Sequence, residues 1–326
     1  MPKWSELANF TDREKEALEA LKNHRFLLYG GTRGCGKSHF LRWVLLQILL
    51  ECHKSGIQRP RVMLACESYP TLTDRQISKI VTEFPAWLGG VKRTQEDGLV
   101  FQLHESFGGG VMALRNLDNP EKHVGSENCA IGVDQIEKID KDTFDILRGS
   151  LRFPGMPRPR FIATSNPGGI GHVWVKQYWI DRDFPDEMKA LANEFVFIRG
   201  YPTDNPYLDQ SYWDDLNSLP ENLRRAWVDG DYEVFSGLAF PEFSDRHIVD
   251  KPFSIPDDWI KIRGVDSGYT RPFACVWVAR DPDTGRYYVY REISKAGLTD
   301  RQQARFIKEM SGNDDAYVTY ADPAMF

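Results

Sequence analysis

Eight consecutive residues carry the clearest chemistry in the chain. Gly31, Thr32, Arg33, Gly34, Cys35, Gly36, Lys37 and Ser38 satisfy the pattern G-x-x-x-x-G-K-[ST] in full. The glycines of such a loop let backbone N–H groups turn inward around phosphates, and the helix that follows adds partial positive charge at its N-terminus. Lys37 can neutralise the β and γ phosphates and Ser38 can ligate magnesium, so ATP with Mg2+ is the expected ligand. Arg33 inside the loop has two readings: a γ-phosphate contact, or charge that coats the loop surface.

A phosphate loop that hydrolyses ATP needs an acidic residue at the tip of a neighbouring strand. The apolar run from Ala130 to Val133 ends in Asp134, which is expected to hold magnesium through water. The next residue, Gln135, can orient a water but cannot accept its proton. Glu137 can act as that base, or can be a solvated glutamate at a helix start. A further run from Arg160 leads to Ser165 and Asn166, followed by Pro167, Gly168 and Gly169. Those two polar residues can sense a γ-phosphate from an adjacent strand tip, or can belong to ordinary turn chemistry.

The elements that must position these groups follow from pattern. Residues 11–22 open with a capping threonine and continue with strong helix formers, which predicts a charged surface helix. Residues 25–29 predict a strand and residues 37–50 a helix that is hydrophobic on most sides. Residues 61–66, 130–133 and 161–163 read as short buried strands, with helical or loop segments between them. This alternation predicts an α/β P-loop NTPase domain with a mainly parallel sheet. Around residue 201 the texture changes to prolines, aspartates and tryptophans, with a helix expected over 221–229 ended by Gly230. Residues 251–258 have linker character, and the strand patterns at 260–266, 273–279 and 287–293 predict a β-meander.

Composition bounds the rest. The 326 residues are 41% hydrophobic, enough for a full core and roughly two domains. The apolar run 40–50 is broken by Arg42 and Gln47 and is too short for a membrane span. No secretion signal is legible at the N-terminus, so a cytosolic protein without a membrane partner is expected. Five cysteines without a C-x-x-C pair fit reduced thiols better than disulfides or structural zinc. With 41 basic against 47 acidic residues the net charge is −6, so a nucleic-acid partner would have to meet a local basic patch. Arg148, Arg152, Arg158 and Arg160 form a run without an intervening acid, which can track a DNA backbone or remain solvated surface.

Taken in order, residues 31–38, 131–134, 163–168, 204–208, 219–225, 229–235, 237–243 and 264–268 resemble the large terminase subunit of tailed bacteriophages. The resemblance covers nearly the whole chain. It implies ATP-driven translocation of double-stranded viral DNA into a procapsid, in the cytoplasm of an infected bacterial host. It also implies a portal protein and a small terminase subunit as partners, and a homo-oligomeric ring when assembled. By the same resemblance, residues 1–199 form the ATPase domain, 200–256 a lid and linker subdomain, and 257–326 the beginning of an RNase H-like nuclease domain. Ser165 and Asn166 fall in the family's coupling motif. Asp266 and Asp322 match two carboxylates that hold Mg2+ or Mn2+ in the nuclease, whose later carboxylate would follow Phe326. A C-terminally truncated chain is therefore expected, with endonuclease activity belonging to the full-length protein. The sequence departs from the family at Gln135, where most members have glutamate, and at residues 123–127, where an arginine is usual. Arg148 and Arg152 are substitute candidates for that arginine. Two other functions remain open at this stage, a helicase-like ATPase and a nucleotide-gated assembly module without turnover.

Overall fold

The computed structural model describes residues 7–234, 247–249, 251–269, 272–312, 314 and 318–322. The chain divides into two compact units, residues 1–243 and 244–326.

In the first unit, helix α1 (Asp12–Asn23) leads to strand β1 (Phe26–Gly30), and helix α2 (Lys37–Lys54) leads to β2 (Arg61–Cys66). A helical stretch α3 follows as Tyr69–Leu72, Thr73–Ile77 and Ser78–Glu83, the middle segment being a π-helical turn. Strands β3 (Gly89–Thr94), β4 (Gly98–Leu103) and β5 (Val111–Asn116) come next, then β6 (Ala130–Val133). Helix α4 (Lys141–Gly149), strand β7 (Arg160–Ser165), helix α5 (His172–Val175, continuing as a π turn over Lys176–Ile180) and strand β8 (Phe195–Arg199) complete the sheet and its cover. Two short helices close the unit, α6 (Gln210–Asn217) and α7 (Glu221–Trp227).

One eight-stranded sheet runs in the order β3-β4-β5-β2-β6-β7-β1-β8. From β5 to β8 every pair is parallel. Both faces of these strands are covered. Leu27, Tyr29 and Ile162 face the layer of α1, α2 and α3, whereas Phe26, Leu28, Phe161 and Ala163 face α4 and α5. Burial on both faces makes the strands read as unbroken apolar runs. It also explains α2, whose buried residues run around most of its circumference from Phe40 to Cys52.

Two expectations are corrected here. Residues 89–116 were expected to be helix or loop, but they form the antiparallel pairs β3–β4 and β4–β5 at one sheet edge. β3, with the sequence Gly-Gly-Val-Lys-Arg-Thr, is an exposed edge strand without strong hydrophobic alternation. The first helix is not a purely solvated element. A capping box between Thr11 and Glu14 starts it, and Glu14, Ala17 and Leu21 are buried at the spacing of one helical face.

In the second unit, β9 (Ile260–Asp266), β10 (Phe273–Arg280) and β11 (Tyr287–Lys295) form the expected antiparallel meander. The β10–β11 turn is held by the Asp281 carboxylate, which accepts from Asp283 N at 2.9 Å and from Thr284 Oγ1 at 2.5 Å. Helix α8 (Asp300–Ser311) packs Phe306, Ile307 and Met310 against Phe273, Cys275 and Trp277. Strand β12 (Val318–Ala321) then returns parallel to β9.

Candidate functional site

The strand order sets the site. β7 lies between β1 and β6, so the phosphate loop after β1, Asn166 after β7 and Asp134 after β6 emerge side by side at the carboxyl end of the sheet. Gly30 shows how tightly β1 and β7 meet. Its φ is 142°, and a Cβ there would lie 2.6 Å from the Ser165 carbonyl oxygen. That carbonyl accepts from Gly31 N at 2.9 Å. Gly31, Gly34 and Gly36 also take positive φ, which lets the loop curl ahead of α2. Lys37 is buried and its Nζ donates to the Thr32 carbonyl inside the loop. Cys35 is buried behind the loop, its Sγ 3.4 Å from the same carbonyl.

At the neighbouring tip, Asp134 is 1% exposed and surrounded by donors. Ser38 Oγ donates to its Oδ2 at 2.9 Å and lies 3.1 Å from Oδ1. Thr164 Oγ1 donates to Oδ1 at 2.7 Å, and Gln76 Nε2 to Oδ2 at 2.9 Å. Three side-chain donors fix the orientation of this carboxylate at the strand tip. The paired Ser38 and Asp134 oxygens form a hard donor set that suits magnesium held between the helix start and the strand tip.

Gln135 adopts a left-handed backbone with φ 61°, and its N–H is held by Thr164 Oγ1 at 2.8 Å. Its side-chain oxygen accepts from Arg75 Nη1. Glu137 turns the other way and is buried. Burial pushes its carboxyl up to about 7, even though Lys37 and nearby backbone N–H groups favour the charged form. Asn166 Nδ2 lies 3.4 Å from Glu137 Oε1, while Glu137 Oε2 and Asn166 Oδ1 are buried without hydrogen-bond partners. Ser165 is wholly buried. Its hydroxyl bonds the Asn166 carbonyl at 3.1 Å, so it braces the loop and leaves Asn166 to face the cleft.

Residues 200–232 close over the phosphate loop. Thr32 Oγ1 donates to the Gly200 carbonyl, Asn205 Nδ2 to the Gly34 carbonyl and Arg33 N to the Trp227 carbonyl, each at 2.7 Å. The Arg33 guanidinium stacks on the Trp227 ring, 3.2 Å from its centroid, and burial holds its proton affinity below the usual value. Between these parts lies a cleft of about 510 Å3, lined by Arg33, Lys37, Ser38, Arg75, Gln135 and Asn166, with Asn205 and Tyr212 opposite. Its size suits a nucleotide.

Several of these groups escaped the sequence reading. Arg75 and Gln76 lie in a segment without a motif. Arg42 interrupts an apolar helix yet is buried, where it makes bonds of 2.6 and 2.7 Å to Glu83 and 2.7 Å to the Ser38 carbonyl. A buried charge inside an apolar helix was the available signal. His172 accepts Gly168 N–H at Nδ1, 3.0 Å away, and its Nε2 lies 2.9 Å from the Tyr232 carbonyl, so a neutral imidazole joins the loop after β7 to the closing segment.

The run of four arginines is not a free basic patch. Arg148 pairs with Asp145 at 3.3 Å, Arg152 with Glu127 at 3.4 Å, Arg158 with Glu194 at 2.6 Å and Arg160 with Glu51 at 3.3 Å. Asp145 on the same helix and three acids distant in sequence neutralise the run locally.

In the second unit, the parallel register sets Gly264 beside Tyr320 and Val265 beside Ala321. One further step along both strands brings Asp266 and Asp322 to the same sheet end. Asp266 is exposed and lines a shallow cleft of about 360 Å3 with Gly264, Val276 and Tyr320. Two carboxylates so placed fit part of a divalent-cation site. Among the described residues no group of three or more His, Cys, Asp or Glu has metal-binding geometry. None of the helices described is long and apolar enough to cross a membrane.

No protein-family model matches the chain. Among curated proteins, the terminase large subunit of Escherichia phage T5 is 26% identical over 297 residues. The match covers 87% of this chain, which spans 63% of that relative's length. Among solved structures, the large terminase of the thermophilic bacteriophage D6E superposes with a TM-score of 0.53 at 12% identity, over 97% of this chain and 78% of that one. The same protein in complex with ADP gives a TM-score of 0.50 at 11% identity, with the same coverage. The large terminase ATPase domain of Thermus phage P74-26 gives 0.50 at 10% identity, over 70% of this chain and 96% of that one. The resemblance to large terminase subunits thus holds in sequence for the first relative. For the others, the likeness is one of α/β fold with a mostly parallel central sheet.

Proposed function

We propose that this chain is the ATP-driven motor part of a phage DNA-packaging enzyme, moving double-stranded viral DNA into a procapsid. The observation that carries the reading is the bond between Ser38 and Asp134 beside a complete phosphate loop, with Asn166 just past the end of the intervening strand. The similarity to the phage T5 subunit supplies the biological setting. Work in an infected bacterial cytoplasm, with a portal protein, a small terminase subunit and a ring of copies, belongs to this proposal.

In this reading the loop N–H groups and Lys37 bind the β and γ phosphates, and Arg33 adds charge from the loop. Ser38 and Asp134 would hold Mg2+, which when bound supplies charge neutralisation of the phosphates. Gln135 orients water. Glu137, poised near neutrality, takes its proton. Asn166, within reach of Glu137, reports the nucleotide state through the loop after β7, and His172 passes it to the closing segment at Tyr232. Asp266 and Asp322 would hold Mg2+ or Mn2+ for the endonuclease activity of the full-length protein.

One observation favours a second reading. The residue after Asp134 is an amide and the nearby carboxyl of Glu137 is buried, which suits a nucleotide-gated assembly module that binds ATP without turnover. Magnesium-dependent ATP hydrolysis, with and without duplex DNA, separates the two. The motor requires turnover that Lys37→Ala and Glu137→Gln both abolish. ATP binding without turnover in the unaltered chain and in Gln135→Glu, with DNA present, would support the assembly module.

A further inference from the structure

We propose that Arg75 contacts the γ-phosphate of ATP from within the same chain and holds Gln135 in place for it. The inference rests on the nucleotide reading above. Arg75 sits in the π-helical turn Thr73–Ile77, where Ser78 N bonds back to the Thr73 carbonyl. Such turns are rare and often mark functional sites. Here the wider turn sends two consecutive side chains to the same strand tip. Gln76 Nε2 reaches Asp134 Oδ2 at 2.9 Å, and Arg75 Nη1 reaches Gln135 Oε1.

Charge points to an anion at this place. Arg33, Lys37 and Arg75 line one cleft, and Arg75 lowers the proton affinity of Arg33, as two like charges in proximity do. Among the described residues neither arginine has an ion-pair partner, in contrast to Arg42, Arg61 and Arg148, which all do. A terminal phosphate between them would relieve the repulsion and accept charge-assisted bonds. Position agrees with charge. Lys37 addresses the β and γ phosphates and Ser38 with Asp134 the metal, so the γ end of the chain of phosphates points towards Gln135 and Asn166, the side on which Arg75 stands. With Gln135 Oε1 engaged by Arg75, its NH2 group is left to face the phosphate or the attacking water.

The test is equilibrium binding of a non-hydrolysable ATP analogue (the β,γ-imido compound) and of ADP to the full chain with Mg2+, by calorimetry. Arg75→Ala should lose about tenfold or more in affinity for the ATP analogue, the worth of one charge-assisted phosphate contact, and stay within about twofold for ADP. Arg75→Lys should recover part of the loss. Lys37→Ala should weaken both ligands. Equal losses for both ligands in Arg75→Ala would mean a merely structural role and overturn the proposal, as would no loss for either. If Arg75→Ala fails to fold, Arg75→Lys and Arg75→Gln carry the comparison, judged by the same ratio. Failure of the nucleotide reading looks different: the unaltered chain would bind neither ligand, and the proposal would fall with it.

Discussion

Glu137→Gln is predicted to stabilise the protein at alkaline pH and not at acidic pH. Glu137 is 4% exposed, and burial raises its carboxyl from 4.5 to about 7. Between those two values the unfolded chain has released the proton and the folded chain still holds it, so stability falls as pH rises through this window. Above about pH 7 the penalty is complete, at about 3 kcal/mol for a displacement of this size. Glutamine has nearly the same shape and no charge to bury, so it escapes the penalty. For a unit of this length about 1 kcal/mol corresponds to roughly 2–4 °C in Tm. About a quarter of the penalty is already present at pH 5, so the Tm of Glu137→Gln minus that of the unaltered chain should grow by about 5–10 °C between pH 5 and pH 8. Scanning calorimetry at both pH values reads it directly. Any new strain from the glutamine NH2 is common to both pH values and cancels. A difference that stays constant from pH 5 to pH 8, or shrinks, would refute the reasoning and place Glu137 among ordinary carboxylates.

Other consequences are as specific. If Glu137 is the base, the rate of ATP turnover should rise with pH through about 7 and level off above it, and a rate that is flat from pH 6 to pH 8 would remove Glu137 from that role. Gly30→Ala should cost about 2–4 kcal/mol in a urea titration, because its Cβ would stand 2.6 Å from the Ser165 carbonyl at a φ of 142°. Arg42→Met should cost about 3 kcal/mol by leaving Glu83 without its buried partner, and the double variant with Glu83→Gln should recover part of that. Burial lowers the His172 pKa below 6.5, so its contribution is complete above pH 6.5 and is lost as pH falls through the depressed value. The protection of amides 228–234, measured relative to their intrinsic exchange rates, should then fall on acidification in the unaltered chain, and show no such step in His172→Ala.

Much of the site could be read before the fold was known, because phosphate chemistry leaves a contiguous signature. Residues 31–38 are neighbours in sequence as well as in space, and Asp134 betrays itself as the acid that ends an apolar strand. Arg75, Gln76 and Arg42 lack that advantage. They reach Asp134, Gln135 and Ser38 only because α3 and α2 pack beside the tip of β6, and no local pattern encodes that meeting. The parallel strands β1, β2, β6 and β7 were legible because both their faces are buried, whereas the parallel strands β5 and β8 went unread. β3 and β4 were not legible, since an edge hairpin built from Gly89, Gly90, Lys92 and Arg93 has little hydrophobic alternation to show. The four arginines mislead for the opposite reason: they form a run in sequence, while the carboxylates of Glu51, Glu127 and Glu194 that neutralise three of them come from elsewhere in the chain.

The strand order also governs when the nucleotide site can come into being during synthesis. β1 is made early, but its neighbours are Phe161 and its successors on one side and Phe195 and its successors on the other. Until those segments leave the ribosome, Phe26, Leu27, Leu28 and Tyr29 have no strand neighbours, and the loop that follows them lacks the β7 side of its wall. Such an apolar strand, orphaned for most of the chain's emergence, is the segment most exposed to mispairing with other nascent copies. Yield of functional protein in the cell should therefore respond to chaperone supply and to the pace of translation through residues 160–199, well after the phosphate loop itself has been made.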